Sequence, residues 1–101
     1  MPRERLADRR RSENFEFRFG TLPIYASVGY DSGQQVREVF LSTRKVGNGF
    51  DSACRDIAVL MSLLLQYGCP VDEIAHSLTR EENGDPAGVA GIAALFIKER
   101  N

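Results

Sequence analysis

Three features of this 101-residue chain combine residue types and spacing that could do chemistry. The first is Arg44-Lys45-Val46-Gly47-Asn48-Gly49, two cations and two glycines just ahead of a helix start. Free backbone N–H groups and the helix dipole attract anions at such a start. Arg44, Lys45, Gly47, Asn48, Gly49 and Ser52 therefore form a candidate anion-binding or nucleotide-binding set. The run lacks the Gly-Lys-Ser/Thr order of a phosphate-binding loop, and Asp51 would repel phosphate. A purely structural loop is the competing reading.

The second feature is the arginine-rich start. Arg3, Arg5, Arg9, Arg10 and Arg11 stand against Glu4 and Asp8. Such an arm can contact nucleic-acid phosphates without sequence preference. No aromatic residue is interleaved with the arginines, so bases would have no stacking platform. The competing reading is a solvated tail.

The third is the set of lone reactive groups, His76, Cys54 and Cys69. One histidine without a paired nucleophile gives hydrolysis no support. The two cysteines have no metal or redox spacing. If both follow one helix they lie about four turns apart, too far for a disulfide. These residues imply no enzyme, no bound metal and no cofactor.

The elements that would position these groups follow from the patterning. Hydrophobic residues make up 43% of the chain and charged residues 27%, an ordinary globular balance. The formal net charge of -1 sets up no global field toward nucleic acid or membrane. The longest apolar stretch, Ala53 to Leu65, is broken by Arg55, Asp56 and Ser62, so it reads as a buried helix rather than a membrane span. The first residues carry no apolar signal region, and reduced thiols fit a cytoplasmic protein.

Residues 1–12 read as a flexible arginine-rich arm. From Glu13 the period is two, with Phe15, Phe17 and Phe19 alternating with Glu16 and Arg18. A second strand spans Leu22 to Tyr30, and Pro23 belongs near its start. Asp31-Ser32-Gly33-Gln34 is a turn, and Val36 to Ser42 is a third strand. Apolar residues on both faces of that third strand suggest a central position.

A long helix spans Asp51 to Tyr67, capped by Asp51 or Ser52 and stopped by Gly68 and Pro70. On a wheel of about 100° per residue, Ala53, Ile57, Leu60, Met61 and Leu64 form a face expected to cover the sheet. Asp51, Arg55, Ser62 and Gln66 fall opposite, toward water. Val59 and Leu63 lie on the flank. Either the last helix covers them, or a second copy of the chain does. Asp72 to Leu78 reads as a short helix, and Pro86 opens a last helix to about Glu99. Gly88 and Gly91 there cost about 1 kcal/mol each against alanine, which a close neighbour would justify.

The fold class is α+β, a three-stranded antiparallel meander packed against a long helix, followed by two shorter helices. From Glu13 onward the chain resembles the TSCPD domain, found at the C-terminus of adenosylcobalamin-dependent ribonucleotide reductases and in short bacterial proteins. The resemblance rests on 25–30 (YASVGY), 36–41 (VREVFL), 45–48 (KVGN), 58–68 (AVLMSLLLQYG) and 70–74 (PVDEI). The nearest counterpart of the naming motif is Gly84-Asp85-Pro86-Ala87-Gly88, without its cysteine.

The resemblance implies a single TSCPD-like domain over 13–101. It implies a small non-enzymatic binding or regulatory module tied to ribonucleotide reduction, with a protein partner in nucleotide metabolism. A homodimer through Val59 and Leu63 is expected. The alternative is a nucleic-acid or nucleotide binder using the arginine arm and the 44–52 loop.

Overall fold

A computed structural model describes residues 2–44 and 48–101. The strands are β1 (Ser12–Phe19), β2 (Leu22–Tyr30) and β3 (Val36–Thr43). The helices are α1 (Gly49–Gln66), α2 (Val71–Ser77) and α3 (Val89–Arg100). The sheet is an antiparallel meander in the order β1-β2-β3.

Register follows from the alternation. Phe15 pairs with Ala26 and Phe17 with Ile24, while Ala26 pairs with Leu41 and Val28 with Val39. Directly opposed residues share a face, so one side of the sheet carries the apolar set from all three strands. α3 packs on that side, where the Phe96 ring lies 5.5 Å from both Phe15 and Phe17, tilted against the first and stacked on the second. Val89, Gly91, Ala93, Ala94 and Ile97 are the buried residues of α3.

The third strand is an edge strand, not the central one. Two features made it look two-sided. A register shift at Gly29/Tyr30 sets Val36 opposite Tyr30, and both are buried. Phe40, on the far face, is 56% exposed.

α1 starts two residues before Asp51, and its cap is Asn48, whose side chain accepts from the Asp51 N–H at 2.7 Å. The sheet-facing side also differs from expectation. Cys54, Ala58, Met61 and Leu65 are buried, together with Asp51 and Gln66. Ala53, Leu60 and Leu64 are exposed. The cause is placement. The helix lies along the free edge of β3, where backbone groups need polar partners, so polar residues turn inward.

α1 ends where Gly68 adopts φ 96°, a left-handed conformation open to glycine, and the Cys69 N–H donates to the Leu64 carbonyl at 2.9 Å. α3 starts at Val89 rather than Pro86. Pro86 instead bridges to Arg80 and presses on α3. A side chain on Gly91 would meet the Pro86 Cβ at 2.8 Å, so that glycine serves the close approach.

Candidate docking surface

α1 runs antiparallel to β3 and closes its edge with polar side chains. Near the helix start, Asp51 Oδ1 accepts from the Thr43 N–H at 2.8 Å and from Thr43 Oγ1 at 3.0 Å. At mid-helix, Ser62 Oγ accepts from the Val39 N–H at 2.8 Å and donates to the Val39 carbonyl at 3.1 Å. Near the helix end, Gln66 Nε2 donates to the Arg37 carbonyl at 3.0 Å, and an Arg37 guanidinium nitrogen donates back to the Leu65 carbonyl at 3.1 Å.

Asp51 is ionised in this setting. The Arg55 guanidinium at 2.7 Å and the Thr43 N–H hold its carboxyl down at about 2, against the pull of burial. Burial, then the nearby Asp51 charge, pushes the Cys54 thiol up, so it stays a protonated core group.

With α3 on one face and α1 along one edge, no element among the described residues covers the other sheet face. Tyr25, Ser27, Phe40 and Ser42 line it, and the flank of α1 forms its wall through Arg55, Val59 and Leu63. Together they enclose a groove of about 890 Å³. That volume lies in the range of ligand and peptide clefts. The structure brings Val59 and Leu63 into one wall of this groove. α3 lies on the other side of the sheet and leaves Val59 56% exposed. Phe40 and Tyr25 belong to the groove and had been assigned only to strands. The signal for Phe40 was a large apolar residue on the same strand face as Glu38 and Ser42.

The candidate anion set is only partly described, since Lys45 and Gly47 lie outside the described residues. Arg44 is exposed, 3.5 Å from the Tyr25 hydroxyl. Asn48 caps the helix, the Ser52 N–H donates to the Asn48 carbonyl at 3.1 Å, and Gly49 and Ser52 are exposed. The Asp51 carboxylate sits in that same first turn.

Three arginines of the first segment have partners within the fold. Arg3 donates to the Gln66 side chain, and the neighbouring Glu4 N–H donates to the Gln66 carbonyl at 2.6 Å. Arg10 Nε donates to Glu38 at 3.1 Å. Arg11 lies 4.0 Å from the Tyr30 ring centre and donates to Gln34 at 2.7 Å. Arg5 and Arg9 are exposed. His76 is exposed, with Nδ1 3.5 Å from Arg80. Among the described residues no three histidine, cysteine or acidic side chains gather as a metal site. No described helix is long and apolar enough to cross a membrane.

A sequence model of the TSCPD domain matches residues 2–97. The chain belongs to the TSCPD domain family. The TSCPD chain is 36% identical over 87 residues to a vitamin B12-dependent ribonucleotide reductase of Bradyrhizobium diazoefficiens, a match covering 83% of this chain and 7% of that protein. It is 30% identical over 87 residues to a vitamin B12-dependent ribonucleotide reductase of Agrobacterium fabrum, covering 86% of this chain and 7% of that protein. The TSCPD chain thus spans a small fraction of the reductases it matches. No solved structure matches it. The naming-motif segment forms a tight turn here, closed by the Glu81 N–H to the Asp85 carbonyl at 2.7 Å and ending on the Pro86–Gly91 contact.

Proposed function

We propose that this TSCPD domain is a non-enzymatic binding module that serves ribonucleotide reduction by docking on a protein partner in the cytoplasm, and that it works as a homodimer. The observation that carries this reading is the open sheet face. Phe40 and Val59 are each 56% exposed beside a groove of about 890 Å³. Contiguous exposed apolar surface of that kind marks interaction sites. The link to reduction rests on the relatives, which carry the matching segment inside a vitamin B12-dependent ribonucleotide reductase.

The test is co-sedimentation of the chain with a vitamin B12-dependent ribonucleotide reductase, alongside reductase turnover. A complex that weakens at least tenfold with Phe40→Asp, together with altered turnover, is the expected result. No complex and no change in turnover would refute the reading.

A further inference from the structure

We infer that two copies of the chain pair through the outer side of α1, with the two helices antiparallel. The inference rests on the homodimer part of the proposed function and gives it a geometry. α1 is apolar on the side turned away from the sheet: Leu60 is 61% exposed, Leu64 45% and the capping Tyr67 48%. A helix that is sealed on its inner side and still apolar outside is built to be covered from both sides.

The residues at the centre of that side are Asp56, Leu60, Leu63 and Tyr67. Their spacing of four, three and four places them within an arc of about 60° at 100° per residue. This is the seam pattern of paired helices, in which alternate layers meet across the interface. In an antiparallel pair, Leu60 faces Leu63 of the second copy at the middle. Asp56 then faces Tyr67 of the second copy at each end, about 17 Å apart along the helix.

The polar ends decide both partner and orientation. Among the described residues, neither the Asp56 carboxylate nor the Tyr67 hydroxyl has a hydrogen-bond partner within the chain. An antiparallel copy supplies each with the other, a hydroxyl donating to a carboxylate. A parallel copy would set Asp56 against Asp56, which repels. The seam carries no lysine or arginine, so a strongly acidic partner finds no complement there.

The test has two arms. Sedimentation equilibrium compares wild type, Leu60→Asp and a control, Leu22→Asp, at an exposed leucine of β2. Circular dichroism confirms that each is folded. The expected result is a dimer for wild type and the control, and a monomer for Leu60→Asp. For orientation, Asp56→Cys and Tyr67→Cys chains, both in a Cys69→Ser background, are oxidised separately and mixed. The mixture is expected to form disulfide-linked dimers in several-fold higher yield than either chain alone.

A wild type that stays monomeric at every concentration overturns this inference and the homodimer reading together. A dimer that survives Leu60→Asp, or Asp56→Cys chains that link mainly to themselves, overturns the seam and leaves the homodimer reading standing. Binding to the reductase is scored separately, so neither outcome is confused with its failure.

Discussion

The Ser62 hydroxyl closes both backbone groups of Val39, accepting from its N–H at 2.8 Å and donating to its carbonyl at 3.1 Å. One side chain thereby stops the outer edge of β3 from pairing with another strand, a standing hazard for edge strands. It also fixes how α1 sits, and so which of its residues wall the groove.

Ser62→Ala removes that closure and leaves two partly buried backbone groups unpaired. Such groups cost about 1–3 kcal/mol to leave unmade. Urea unfolding is expected to show a loss of that size with an unchanged slope. A loss below about 0.5 kcal/mol, the ordinary surface-substitution range, would mean that water replaces the hydroxyl freely.

Acid unfolding is expected to depend on Asp51. Its folded-state carboxyl lies at about 2, below the ordinary 3.8. A depressed carboxyl adds stability above the unfolded value, and that stability is lost as pH falls through the folded value. The urea midpoint should therefore fall between about pH 4 and pH 2, and fall less steeply in Asp51→Asn. Some acid dependence remains in the variant. Hydrogen bonds from Tyr30 and Arg100 lower Glu13, and at Asp31 the Gln35 N–H and Arg37 outweigh a burial effect that raises it. Identical pH profiles for wild type and Asp51→Asn would contradict the role given to this carboxylate.

Gly91→Ala tests the packing of the naming-motif turn on α3. The added methyl would meet Pro86 at 2.8 Å, so one of the two segments must shift. Overpacking of this kind costs about 1–3 kcal/mol. Gly88 has nothing within 4 Å of the same position, so Gly88→Ala serves as the comparison. Thermal unfolding should separate the two, with Gly91→Ala the less stable. A Gly91→Ala chain more stable than wild type, by the gain of about 1 kcal/mol that alanine brings to a helix interior, would show that Pro86 yields at no cost.

Phe40→Asp is expected to leave the fold intact, because the side chain is largely exposed and outside the core. The loss of stability should stay within about 1 kcal/mol, the span of strand preference between the two residues, while partner binding falls. A marked loss of stability would reassign Phe40 from docking to folding.

Much of the architecture was legible. β2 runs over Leu22–Tyr30, the span expected from its period-two alternation, its early proline and the flanking turns. The meander order follows from the short Gly20-Thr21 and Asp31–Gln35 connections. The inner side of α1 was not legible. Counting apolar residues favoured Leu60 and Leu64, but the helix lies on a strand edge that needs Asp51, Ser62 and Gln66. A wheel treats those three as water-facing because it cannot know that a backbone edge lies opposite. The burial of Val36 opposite Tyr30 was hidden for a related reason, since a register shift reverses which face a residue takes. At the candidate surface, Val59 and Leu63 stood out as apolar residues off the expected face. Phe40 did not, because placing β3 at the sheet centre had already explained it.

The most direct test of the docking surface is backbone hydrogen exchange of the chain with and without a vitamin B12-dependent ribonucleotide reductase. Slower exchange is expected in residues 38–42 and 55–63, which border the groove, with the α2–α3 corner unchanged. Unaltered exchange along the groove, or slowing confined to α2 and α3, would contradict the account.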